Sequence, residues 1–298
     1  MSNYSDSQFG EDSKNTSWYK VFHMVPEGSK VLDFGCSSGN FGAALIRLRK
    51  CKVDGLEIDP DDAKQARKKL GKVYQVNIEH EDDKQIDRDY DVIYFGDVIE
   101  HLVDPIAVLK KVRTYLSPKG VVIFSIPNMG HIGVRLALLK GDFDYTETGL
   151  LDKTHLHFYT LKEIKRVFAE AGYNIEDIDF VEKDYPQKLL KDWLKGIGLT
   201  PSSDFFKQMQ GVEASAFQFV GVARPSVKPV NTHKLAQFGP IDLFESYFTN
   251  VTDDYKQRII ELEAEVDTLT HNQARPFRTA AKHHAGRAKR LVKRIIKG

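Results

Sequence analysis

Between Ser29 and Ala223, short apolar runs alternate with stretches whose apolar residues recur at helical spacing. No other feature of the chain restricts its fold so much. KVLDF (30–34), KVDGLEI (52–58), KVYQV (72–76), DVIYF (91–95) and GVVIFSI (120–126) are strand-length runs. Between them lie FGAALIRLRK, PDDAKQARKKL and PIAVLKKVRTYL, each patterned as an amphipathic helix, with Pro60 and Pro105 at first-turn positions where proline is tolerated. After a further helix, LKEIKRVFAEAG (161–172), the runs NIEDIDFVE and ASAFQFVGVAR read as closing strands. Strands and helices in this order predict an α/β fold: a doubly wound, mostly parallel seven-stranded sheet covered on both faces.

A chain of 298 residues with 41% hydrophobic content is enough for one main domain and additional segments. The expected domain covers 18–223, after a polar, acidic and flexible N-terminus (1–17) that lacks the apolar core of a signal peptide. The net charge of +1 makes no electrostatic claim on nucleic acid. The two cysteines, Cys36 and Cys51, form no metal-ligand spacing and fit a reducing, cytoplasmic location. No run approaches ~18 consecutive apolar residues, the length a membrane-spanning helix needs.

ARPSVKPVNTHK (223–234) lacks periodicity and opens a linker (224–240) to a segment of different composition. In 241–273, Phe244, Phe248, Val251, Tyr255, Ile259, Leu262, Val266 and Leu269 are spaced by fours and threes. That spacing suits a short coiled coil that makes a homo-oligomer, and equally a helix packed back on the domain. Within 274–298, the stretch 275–298 holds nine Lys or Arg and no acid, and Ala288, Leu291, Val292, Ile295 and Ile296 share one helical face. A basic amphipathic helix of this kind can lie peripherally on the anionic inner face of the cytoplasmic membrane or dock a partner protein. The plainer reading is a solvated tail, or one that adheres to RNA.

DFGCSSGNFG (33–42) follows the first strand and opens the first helix, the ligand-binding position of open α/β sheets. Gly35, Gly39 and Gly42 are spaced G-x3-G-x2-G, unlike the G-x-G-x-x-G of dinucleotide sites. This longer turn, led by Asp33, leaves room for a ligand carrying an ammonium, while Gly35 lets the backbone approach closely. Glu57, at the end of the second strand, is where a carboxylate can take both hydroxyls of a ribose. Together these features signal S-adenosyl-L-methionine.

With these pieces in order, the chain resembles the class I S-adenosylmethionine-dependent methyltransferases over roughly 18–223. DFGCSSGNFG is similar to their glycine-rich motif, GLEID carries the ribose acid Glu57, and YFGDVIEHLVDP and LSPKGVVIFSIPN are similar to their fourth- and fifth-strand motifs. GDVIEHLVDP, SIPN and LLKGDFDYTETGLLDKTHLHFYT resemble a bacterial subgroup associated with surface-polysaccharide and glycosyltransferase pathways. The resemblance implies a Rossmann-like fold, a cofactor site of Asp33, Gly35, Cys36, Gly39, Glu57, Asn77 and Asp97, and a sugar or glycan acceptor. Asn77 departs from the family's usual acid, though its carbonyl can still accept from the adenine amine. His157 stands where the subgroup has arginine.

Methylating a hydroxyl calls for alignment, exclusion of water and a base near neutral pKa. His101, beside Asp97 and Glu100, and His155, in GLLDKTHLHFYT with Asp152 three residues earlier, compete for that role. His101 reads equally as a cap or strut. Asn128, Arg135, Tyr145, Asp152 and His157 are candidate acceptor contacts, and Arg135 and Tyr145 read equally as pins for a lid. A metal site drawn from Asp97, His101, Asp152 and His155 has no compact ligand motif behind it, so no metal is expected. The absence of a [DN]PP[YF] run after the fourth strand argues for oxygen as the acceptor atom. Methylation of a glycan or lipid-linked hydroxyl leads this reading. A small aromatic or quinone-type acceptor, a non-catalytic scaffold in glycan assembly, and an NAD-linked oxidoreductase are the alternatives.

Overall fold

The computed structural model describes residues 11–80, 83–202, 204–206 and 212–226, together with Gln257, Arg258, Ile260, Glu261, Leu262 and Ala264. The first of two compact units spans Met1–Leu235 and the second Ala236–Gly298. In the second, the described residues are helical and Arg258 pairs with Glu261 at 2.9 Å. The rest of the expected coiled coil and the whole of the basic helix lie outside the described residues.

The first unit is built on a mixed seven-stranded sheet ordered β3-β2-β1-β4-β5-β7-β6. Its strands are β1 (Lys30–Phe34), β2 (Lys52–Leu56), β3 (Val73–Tyr74), β4 (Tyr90–Gly96), β5 (Leu116–Pro127), β6 (Tyr173–Glu182) and β7 (Ala216–Pro225). β1 to β5 pair in parallel, whereas β7 runs antiparallel to both β5 and β6. The helices are α1 (Ser17–Met24), α2 (Asn40–Arg49), α3 (Pro60–Ala66), α4 (Pro105–Val112), α5 (Ile132–Lys140), α6 (Leu161–Glu170) and α7 (Gln187–Gly196). Of these, α1, α5 and α7 were not read from the sequence.

The central strands are mostly apolar where both of their faces are buried. Along β4, Ile93 and Phe95 join the core that includes Val108, Leu109, Ile164 and Phe168, while Val92 and Tyr94 join that of Val21, Phe22, Phe41 and Leu45. Each such side chain contributes roughly 1.5–3 kcal/mol on full burial. A third, smaller core joins Ile132 and Leu136 of α5 to Leu190 and Leu194 of α7, with Phe206 and Ala214.

Local chemistry sets the helix starts. Asp59 caps α3 by accepting from the backbone N–H groups of Asp61 and Asp62, and Asp104 caps α4 by accepting from Ala107 at 2.9 Å. Glu79 accepts from the N–H groups of Val103 and Asp104, at 3.2 and 2.8 Å, and so holds the β4–α4 turn. Ahead of α1, Asn15 exchanges two hydrogen bonds with the Glu182 backbone, so structure begins before residue 18. The connection order reverses between β1 and β4. The crevice at the carboxyl ends of those strands is where open α/β sheets bind ligands.

Candidate active site

The turn after β1 is fastened to the end of β2, since the N–H groups of Gly35 and Cys36 both donate to the Leu56 carbonyl at 2.8 and 3.1 Å. Gly35 has φ +73°, and a Cβ there would lie 2.6 Å from a methyl of Val98. Only glycine fits. Asp33 lies buried beneath this turn, with a hydrogen bond from the Gly42 backbone and its Oδ2 without a partner. Burial, reinforced by the charge of Glu57, pushes its carboxyl up to about 7. The same enclosure, with Asp33 and Glu57 near, drives the Cys36 thiol far above its usual range, so it lines the site without being a nucleophile.

Glu57 is also buried and held in place, accepting from Ser37 N at 2.7 Å and from Asp59 N at 2.9 Å. Each of its oxygens keeps a lone pair for a ligand hydroxyl. Asn77, after β3, accepts from the Glu79 N–H at 3.0 Å, so one lone pair of the proposed adenine contact is taken by its own turn. Asp97 has φ +54°, a strained conformation for a residue other than glycine, and accepts from Ser125 and Gln218. Desolvation raises its carboxyl in spite of those hydrogen bonds. An orphaned buried carboxylate oxygen, a glycine cradle and a pre-oriented Glu57 fit a ligand bearing an ammonium and a diol.

The acceptor side is assembled by the loop 149–160 folding onto the end of β4. The N–H groups of Leu156 and His157 both donate to the Glu100 carbonyl, at 2.9 and 3.0 Å, and the imidazole of His101 bonds the Thr154 carbonyl through Nδ1 at 3.1 Å. His101 and His155 meet edge to face with centroids 4.9 Å apart. His155 Nε2 lies 4.0 Å from Oε1 of Glu100, whose side chain is 1% exposed and has no partner at either oxygen. Burial, with Asp97 and Asp152 adding to it, holds the Glu100 carboxyl well above the usual range. Burial first, then the neighbouring His101, lowers His155.

The remaining candidates separate from this cluster. Asp152 turns its carboxylate to Thr154, at 2.8 Å to the N–H and 2.6 Å to the hydroxyl, so it shapes the loop where the sequence suggested it orients His155. Those same bonds lower its pKa. His157 reaches the Val103 carbonyl through Nε2 at 3.3 Å. Asn128 is wholly buried, donating to Glu213 and Ala216 carbonyls at 2.7 Å each and accepting from Gly130 N at 2.8 Å. All its hydrogen-bonding groups are engaged within the protein, which corrects its expected role as an acceptor contact. Arg135 lies in α5, its guanidinium near Gly130. Tyr145, 60% exposed, stands edge to face with Phe143 and lies near Phe158, which also contacts His155.

Sequence reasoning named Glu100 only as a neighbour of His101. Its signal was an acid directly after the apolar pair Val98–Ile99 at the end of the fourth strand. Phe143 and Phe158 had no comparable signal, because their pairing depends on how the loop folds.

The chain is similar to known proteins in sequence and in fold. Two ubiquinone biosynthesis O-methyltransferases, from Aeromonas salmonicida and Acinetobacter baylyi, are 25% and 28% identical to the chain over 159 and 163 residues. The matches cover 52% and 51% of this chain and 66% of each relative, so the chain spans just under two thirds of their length. The crystal structure of an S-adenosylmethionine-dependent methyltransferase from Archaeoglobus fulgidus shares the fold, with a TM-score of 0.50, 14% identity, and coverage of 73% of this chain and 96% of that one. A family model described as a methyltransferase domain matches residues 19–178, more than half of the sequence. The chain belongs to that methyltransferase-domain family, whose cofactor is S-adenosyl-L-methionine.

Proposed function

We propose that the protein is an O-methyltransferase whose acceptor is an aromatic hydroxyl, such as a phenol or catechol. The observation that carries this reading is the set of aromatic rings Phe143, Tyr145 and Phe158 beside His155. In the sequence, the resemblance to a surface-polysaccharide subgroup favours a sugar, and the polar residues of the loop 149–160 speak against an aromatic acceptor. In the folded loop its polar groups are engaged: Lys153 pairs with Glu147, Asp152 with Thr154 and His157 with the Val103 carbonyl. What the segment offers outward is Tyr145 and Leu156, 60% and 56% exposed, with Phe143. Aromatic side chains suit a flat, apolar acceptor better than a hydrated glycan. The ubiquinone-pathway relatives favour the same acceptor class.

Bound S-adenosyl-L-methionine supplies an electrophilic methyl group. Asp33 and Glu57 are the groups that would hold its ammonium and ribose, and Gly35 keeps the turn clear. The protein's share of the chemistry is to align the acceptor oxygen, exclude water and promote loss of its proton. Glu100, His101 and His155 are the groups placed for that last task.

The test is methyl transfer from labelled cofactor to a panel of phenols and catechols alongside a panel of sugars and nucleotide sugars. Label on aromatic acceptors, with kcat reduced about 10²-fold or more in His155→Asn at unchanged cofactor affinity, supports the reading. Label confined to sugars returns the acceptor to the glycan class.

A further inference from the structure

We propose that Glu100, His101 and His155 form a binding site for one divalent transition-metal cation of the zinc or manganese class. One donor atom from each lies within 4.8 Å of the others, close enough for small side-chain rotations to bring them around a common ion. Among the described residues they are the group that meets this condition. The expectation from sequence was that no metal is held, because the ligands do not form a compact motif. They converge only when the loop 149–160 folds against the end of β4.

Three observations point to a ligand. Glu100 is buried with both carboxylate oxygens unpartnered, an arrangement that is costly unless a proton or a cation satisfies it. His101 uses Nδ1 on the Thr154 carbonyl, which makes that nitrogen the N–H donor and leaves Nε2 with a lone pair. Imidazoles that bind metals characteristically donate their second N–H to a carbonyl or carboxylate in this way. His155 presents Nε2 toward the same place, 4.0 Å from Oε1 of Glu100 and with its ring against that of His101. Two imidazoles and one carboxylate favour zinc, manganese or cobalt over magnesium or calcium.

Three protein ligands leave coordination positions open on a bound ion, and the ring of Phe158 stands 6.2 Å from that of His155. Here the proposal deepens the O-methyltransferase reading and rests on it. An acceptor hydroxyl close to the cation ionises more readily: its O–H bond breaks, the pair stays on oxygen and the proton passes to solvent. The C–O bond then forms as the methyl–sulfur bond breaks and its pair goes to sulfur. His155 is then a ligand, not a free base.

The experiment uses the full chain, stripped with EDTA and titrated with ZnCl2 and with MnCl2 by calorimetry, in wild type, Glu100→Gln and His155→Asn. Circular dichroism of the stripped proteins checks that each variant is folded. One equivalent bound per chain, weakened more than about tenfold in both variants, is the expected result. Binding unchanged by both substitutions, or absent from the wild type, overturns the proposal. Phenol methylation is then assayed with and without added cation. Activity that persists without any cation bound removes the metal and leaves the O-methyltransferase reading intact. A cation bound at these residues without phenol methylation keeps the site and removes that reading.

Discussion

At Asp33 burial and a neighbouring charge act in the same direction, and together they hold the carboxyl at about 7 against an ordinary value of 3.8. Between those values the folded chain keeps a proton that the unfolded chain has lost. Stability therefore falls as pH rises from about 4 to about 7 and levels off above. Asp33→Asn is expected to raise the unfolding free energy of the cofactor-free protein at pH 8, read from denaturant melts, by on the order of a few kcal/mol at most, and to have little effect near pH 4. The same substitution is expected to weaken cofactor binding about tenfold, read by calorimetry, because the ammonium loses its anionic partner. Asn128→Ala belongs to a different class. It leaves two carbonyls and one N–H without their partner and is expected to cost about 2–4 kcal/mol in denaturant melts, with the KM for acceptor unchanged in whatever protein folds. Asp33, Gly35 and Glu57 were legible in the sequence because a strand end fixes where each residue lies. The role of Asn128 was not, since its partners Glu213 and Ala216 come from far along the chain.

Among the elements, the loop 149–160 separates surface polarity from chemistry. Lys153 and Glu147 form an exposed pair at 2.6 Å, and such pairs contribute about 0–1 kcal/mol. Lys153→Ala is expected to leave kcat within about twofold of wild type. Thr154→Val, which removes the hydroxyl on Asp152, is expected to loosen the loop and lower kcat while the melting temperature changes little; steady-state kinetics beside thermal melts would show both. Strands β1 to β5 and helices α2, α3 and α4 could be read from periodicity because their apolar residues meet one sheet. α5 could not. IGVRLALLK is apolar on most sides, burying Ile132, Val134 and Leu136 while exposing Leu138 and Leu139, so it has no clear polar face to mark it as a helix. The loop's histidines stood out as residue types, but Glu100 became visible as their partner only in three dimensions.

For the whole molecule, the division at Leu235 separates the unit that holds every candidate site residue from the C-terminal unit. A chain ending at residue 235 is expected to keep cofactor binding and methyl transfer to a soluble acceptor. We also propose that the basic segment 275–298 attaches the protein to anionic membrane. Its deletion is then expected to abolish co-sedimentation with vesicles containing phosphatidylglycerol, and unchanged sedimentation would leave the segment without that role.

The placement of β7 between β5 and β6 bears on how the protein is made. Translation delivers β6 before the strand that joins it to the sheet, so a nascent chain that stops short of Ala216 has no neighbour to pair along either edge of β6. The flank of β5 stays open for the same interval. The last strand therefore has to leave the ribosome before the domain can close, and the segment after residue 226 is made only once that strand is complete. Stalling synthesis within that segment is expected to yield a protease-resistant domain on the ribosome, and stalling before Ala216 is expected to yield none.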